Sequence, residues 1–170
     1  KATINSREFV EAIKTDLVYD EVYVFTPKGK IVNLKSGSTP IDFAYELHTE
    51  LGNNAVACRV NRKFAPLNIR LENGQSIEII TSEKQEVSPD WLNFVVTSKA
   101  RSSIRLALRN QKISQSRKAG KLMLENELRR GGVTLDHYRG SKMSRILEMI
   151  GVKSLNELLT DLGSGKKTGA

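Results

Sequence analysis

Cysteine is nearly missing: Cys58 is the only one in 170 residues. No intramolecular disulfide or thiolate metal cluster can form, and a lone thiol fits a reducing compartment such as the cytoplasm. Its setting, Ala55-Val56-Ala57-Cys58-Arg59-Val60, alternates like a half-buried strand, so Cys58 is read as packing. Histidine is almost as scarce. His48 and His137 lie far apart and neither is followed by an aspartate, which argues against a His/carboxylate metal centre. Apolar runs are short, as in Phe94-Val95-Val96, so no segment reads as a membrane span. Lys1-Ala2-Thr3-Ile4-Asn5 has no apolar signal core, and no initiator methionine precedes it, as expected of a piece of a longer protein. A phosphate-cradling loop is missing too, because Gly131-Gly132 lacks the Lys-Ser/Thr that would follow one. Serine and aspartate are plentiful, but without a spaced base they make no nucleophile arrangement. The expectation is a chain with no catalytic residue, metal or cofactor of its own.

What is present suits a soluble globular protein, at 39% hydrophobic and 27% charged residues. The formal net charge of +8 is unevenly spread. Residues 1–86 hold 11 Lys/Arg against 12 Asp/Glu, and residues 87–170 hold 16 against 7. This asymmetry predicts two modules, of which only the second has an electrostatic preference for an acidic partner.

Asn5-Ser6 followed by Glu8, with Phe9, Ile13 and Leu17 at four-residue spacing, predicts an amphipathic connector helix ending near Val18. From Glu21 the period changes to two. Val22–Thr26 and Ile31–Leu34 read as a hairpin around the turn Pro27-Lys28-Gly29-Lys30. Thr39 caps a helix with Pro40 at its first position and Asp42 in its first turn. Phe43, Leu47 and Leu51 mark its buried stripe, and Gly52 stops it. Strands follow at Val56–Val60 and Ser76–Thr81, separated by a loop at Pro66. The order ββα and then strands predicts a small α+β roll of the ubiquitin-like β-grasp type. The second half reads as helices: Pro89 to about Gln111, a break at Ser114-Gln115-Ser116, Arg117–Arg130, then Ser141–Ile150 and Ser154–Leu162, each started by a serine cap.

The first of these segments carry a specific resemblance. Val22-Tyr23-Val24-Phe25-Thr26-Pro27-Lys28-Gly29, Thr39-Pro40-Ile41-Asp42-Phe43-Ala44-Tyr45 with His48, Asn73-Gly74-Gln75 and Glu78-Ile79-Ile80-Thr81 resemble a TGS domain. Asp90-Trp91-Leu92-Asn93-Phe94-Val95-Val96-Thr97-Ser98-Lys99-Ala100-Arg101 narrows the resemblance to the RelA/SpoT family, and Asn93-Phe94-Val95-Val96 is similar to its SpoT, hydrolase-competent branch. The division expected is a connector helix over 1–19, a TGS β-grasp domain over 20–84, an all-helical domain over 85–163 and a flexible tail over 164–170.

The resemblance implies that the parent enzymes make and break guanosine tetra- and pentaphosphate, with a divalent metal for hydrolysis outside this chain. It implies a regulatory role here. The partner implied is acyl carrier protein in the SpoT branch, or the CCA end of deacylated tRNA on the ribosome in the RelA branch, with His48 at the position that helps hold that end. An imidazole stacks on an exposed base and offers a hydrogen bond; the plain alternative is a histidine that only stabilises the fold. His48 is expected on the exposed side of the TGS helix, with Tyr45 and Glu46 as neighbours. The basic residues Arg101, Arg105, Arg109 and Lys112 fall on one helix face, followed by Arg117, Lys118 and Lys121. Such a face either meets an acidic partner or is solvated. For an acidic carrier protein, the expected surface is an apolar patch rimmed by cations drawn from Lys28, Lys30, Arg62, Lys63, Arg101 and Arg105. A purely structural spacer between other domains is the alternative of a different class.

Overall fold

The computed structural model describes residues 21–138 and 140–166. The connector helix expected over 1–19 and residues 167–170 of the expected tail lie outside that range. The chain divides into two compact units, the first ending at Leu108 and the second beginning at Arg109. Among the described residues no helix is long and apolar enough to cross a membrane.

In the first unit the elements are β1 (Glu21–Phe25), β2 (Ile31–Lys35), α1 (Pro40–Leu47), α2 (Thr49–Asn53), β3 (Ala55–Val60), β4 (Lys63–Ala65) and β5 (Ile77–Thr81). Strands β1 and β2 pair antiparallel with Val24 opposite Val32, and β3 lies between β4 and β5, antiparallel to both. A parallel bridge between Phe25 and Ser76, with the Phe25 amide donating to the Gln75 carbonyl at 2.8 Å, brings β1 beside β5 and joins the two pieces. The result is the expected β-grasp. The period-two pattern sends Val22, Val24, Val32 and Leu34 to one face, where they pack with Phe43, Leu71 and Ile77. Each such side chain contributes about 1.5–3 kcal/mol by leaving water.

Two local features differ from expectation. Lys63–Ala65 is a strand, too short and too close to Pro66 to carry a sequence signal. Asn61 and Arg62, with φ of 50° and 68°, make the tight turn into it. The TGS helix also does not run unbroken to Gly52. His48, with extended backbone, ends α1 and caps α2.

After β5 the helix expected from Pro89 to Gln111 is split in two. A 3-10 turn spans Pro89–Asn93, capped by Ser88, and the long helix α3 begins at Ser98. Val87, Trp91, Val95, Ala100 and Ile104 bury themselves with Ile41, Tyr45 and Ala55. The first compact unit therefore runs through the boundary expected at residues 84–85, because the apolar residues just beyond it complete the TGS core.

Helix α3 continues without interruption to Arg130, so the break expected at Ser114–Ser116 does not occur. Serine and glutamine lower helix propensity slightly, and only glycine or proline strongly opposes a helix interior. The second unit adds a 3-10 turn at Leu135–His137, α4 (Ser141–Ile150) and α5 (Leu155–Gly163). Gly132 at φ +71° terminates α3, and Gly151 at φ +76° terminates α4. Ser154 caps α5 by accepting from the Glu157 amide at 3.1 Å, whereas α4 is preceded by Gly140 without a side-chain cap. Helices α3 and α5 approach to backbone contact at two glycines. A Cβ on Gly120 would overlap the Leu159 carbonyl, and one on Gly163 would overlap the Ser116 carbonyl.

Candidate functional site

The centre of the first unit is a carboxylate. Asp42 is fully buried at the first turn of α1. Its Oδ2 accepts from the Thr39 amide and the Thr39 hydroxyl, both at 2.9 Å. Its Oδ1 accepts from the Val96 amide at 3.1 Å, the Thr97 amide at 2.8 Å and the Thr97 hydroxyl at 2.7 Å. Five donors therefore replace the water that an ionised carboxylate loses on burial, which is the condition for burying it at all. The Thr97 hydroxyl in turn accepts from the Ala100 amide at 3.2 Å and so caps α3. One side chain thus holds the start of α1 against the start of α3, bridging 54 and 55 residues of sequence. The Arg101 guanidinium fastens the same segment by donating to the Val95 carbonyl at 2.9 Å.

Beside this latch lies an open cleft of about 820 Å³. Ser36, Gly37 and Thr39 form one wall, Asn68, Arg70 and Leu71 another, and Asn93–Val96 with Arg101 the third.

A second surface covers the sheet face opposite α1. Ile31 stands opposite Phe25, and Arg59 stands opposite both Phe64 and Glu78. Phe64 is 70% exposed, Ile31 60% and Tyr23 48%. The Arg59 guanidinium lies 4.7 Å from the centre of the Phe64 ring and 3.3 Å from the Glu78 carboxylate. Lys28, Lys30, Arg62 and Lys63 are exposed on the two turns that border this face.

Residues 22–81 match the TGS domain family. Over 161 residues, 95% of its length, the chain is 43% identical to the bifunctional (p)ppGpp synthase/hydrolase SpoT of Escherichia coli (strain K12). It is 38% identical over 163 residues to the GTP pyrophosphokinase of Myxococcus xanthus. It is 37% identical over 161 residues to the bifunctional (p)ppGpp synthase/hydrolase RelA of Mycobacterium tuberculosis. Along nearly its whole length the chain is thus similar to proteins of the RelA/SpoT type. It spans 23%, 22% and 22% of the lengths of those three relatives.

Within this chain the expected site residues scatter. His48 is exposed, but at the junction of α1 and α2 and not on a helix face. Its Nδ1 accepts from the Glu50 amide at 3.3 Å. Tyr45 does not belong on a contact surface. It is completely buried, its hydroxyl donates to Asn53 Oδ1 at 2.8 Å, and the Gly52 backbone packs on its ring. Burial pushes the Tyr45 phenol up to about 12. Glu46 is paired with Lys99 at 3.5 Å. Arg62 and Lys63 lie at the β3–β4 turn, at the edge of that sheet face. Arg101 is half-buried at the latch, Arg105 is exposed on the same helix, and Arg109 and Lys112 are exposed in the second unit. Burial also raises the Cys58 thiol, whose Sγ lies 3.1 Å from the Ala65 carbonyl, consistent with a packing role.

The residue that sequence reasoning undervalued is Asp42, taken only as a first-turn carboxylate. The available signal was the run Val96-Thr97-Ser98, which carries a capping threonine inside the supposed helix. Among the described residues no group of three His, Cys, Asp or Glu side chains is placed to hold a metal ion.

Proposed function

We propose that this chain is the regulatory segment of a (p)ppGpp synthetase/hydrolase. In this reading it senses a partner and passes that state to hydrolase and synthetase domains outside the chain, and it works in the cytoplasm. The observation that carries the reading is the Asp42 latch. The Val96 and Thr97 amides and the Thr97 hydroxyl donate to Asp42, so a partner that displaced Asn93–Thr97 would be felt where α3 begins.

The favoured partner is an acyl carrier protein, a small acidic molecule. Supporting it are the exposed Phe64, Ile31 and Tyr23 with Lys28, Lys30, Arg62 and Lys63 around them. Apolar anchors supply affinity, and rim cations act mainly on association rate. Binding should fall in the micromolar range and weaken with salt, since rim charges are screened beyond about 10 Å at 0.1 M. Arg62→Glu with Lys63→Glu should weaken it further.

A second reading, RelA-type capture of deacylated tRNA, is favoured by one observation: the exposed side chain of His48. Titration of the chain with purified acyl carrier protein and with deacylated tRNA, each at two salt concentrations, separates the readings. Tight tRNA binding lost in His48→Ala, beside no carrier-protein signal, would reverse the preference. Binding of neither would leave a structural spacer.

A further inference from the structure

The second unit holds a basic cleft that neither reading uses. Ser114, Arg117, Lys118 and Lys121 of α3, Leu135, and Leu155, Asn156 and Leu159 of α5 enclose about 420 Å³. That lies within the roughly 300–1,000 Å³ of small-ligand sites. Three of its eight lining residues are cations and none is an acid.

One cation here is half-buried. Gly120 and Gly163 let α3 and α5 touch, and Arg117 lies one turn from Gly120 on α3. The Arg117 Nε is buried and, among the described residues, has no hydrogen-bond partner. Native structures rarely leave a buried donor of a charged group without an acceptor, and such a group calls for an explanation. Two acids on these helices have other partners. Glu125 sits 3.8 Å from Lys121, and the Glu157 carboxylate accepts from the Lys153 amide at 2.8 Å. Leu155 and Asn156 add the first turn of α5, where amides lack intrahelical acceptors and the helix dipole favours an anion.

We infer that the cleft between α3 and α5 binds a phosphate-bearing ligand, with Arg117, whose Nε is buried, as the anchor and Lys118, Lys121 and Asn156 around it. The planar guanidinium suits phosphate oxygens better than an ammonium does, because its donors form a fixed fork. Leu135, Leu155 and Leu159 give the cleft an apolar side for the non-phosphate part of a ligand. A free diphosphate and the diphosphate of a nucleotide share the chemistry that recognises them, and the apolar side favours the nucleotide.

The test is an amide NMR titration of the whole chain with inorganic pyrophosphate and with a purine nucleoside diphosphate, against sodium chloride at matched ionic strength. Saturable shifts at residues 114–121 and 155–159 are expected, with the nucleotide saturating at a lower concentration. Equal saturation by both ligands would keep the site and name free diphosphate as its ligand. Arg117→Met should weaken binding at least tenfold. Should that variant not fold, Lys118→Ser, at an exposed position, should weaken it about threefold. Shifts reproduced by chloride, or centred on Arg105 and Arg109, would overturn the assignment. So would unchanged affinity in a folded Arg117→Met or Lys118→Ser chain.

Discussion

Asp42 is acidic, buried and without a cation among its partners, so its stability rests on five donors that water would otherwise satisfy. Asp42→Asn keeps the shape but turns an NH₂ group toward donors. It should destabilise the first unit by about 3 kcal/mol, read as a lower urea midpoint with an unchanged slope. The asparagine variant is the sharper test, because alanine would add a cavity to the lost hydrogen bonds. Tyr45 gives a pH test with a definite sign. The folded phenol is raised to about 12 from an ordinary 10.0, so its contribution is fully present below pH 10 and is lost as pH rises from 10 toward 12. Tyr45→Phe should flatten that part of the alkaline stability curve while lowering stability at neutral pH through loss of the bond to Asn53. Cys58 is buried as its strand setting suggested, although a bulge between Ala55 and Ala57 breaks the alternation and leaves Val56 exposed. The burial of Tyr45 was hidden, because the tyrosine sits outside the Phe43–Leu47–Leu51 stripe and is covered by Gly52 and by residues 87–104.

Elements with a strong local signal were readable. The hairpin at Pro27–Lys30, the Thr39-Pro40 helix start and the Gly132 and Gly151 stops all follow from turn and cap chemistry close in sequence. Features set by distant contacts were not. The interruption of the expected 89–111 helix is produced by a carboxylate more than fifty residues upstream. The continuity of α3 through Ser114–Ser116 reflects the weak opposition of polar residues to a helix that tertiary packing supports. Gly120 makes the contrast measurable. By helix propensity alone, Gly120→Ala should stabilise α3 by about 1 kcal/mol. The contact with the Leu159 carbonyl reverses that sign, so Gly120→Ala should lower the melting temperature, and Gly163→Ala should do the same from the other helix. Unchanged or higher melting temperatures would mean that the crossing is looser than described.

At the scale of the whole molecule the polar segment Ser82–Glu86 is the readable seam, yet packing passes straight across it. Limited trypsin digestion should cut at Lys84, and the nicked pieces should co-elute, since Trp91, Val95 and the Asp42 bonds still join them. Separation on gel filtration under native conditions would show that residues 20–84 stand alone. The purified chain should neither make nor hydrolyse guanosine tetra- or pentaphosphate, and turnover above a heat-killed control with metal added would place catalysis inside it. The latch also has a consequence in time. Closing Asp42 onto Val96 and Thr97 requires a loop of more than fifty residues to shut and a carboxylate to lose its water, both of which favour late formation along the folding route. An interaction made after the rate-limiting barrier protects the native state without helping to reach it. Asp42→Asn should therefore speed unfolding by about a hundredfold in stopped-flow measurements and leave the refolding rate nearly unchanged, so that the carboxylate acts as a kinetic lock on the folded chain.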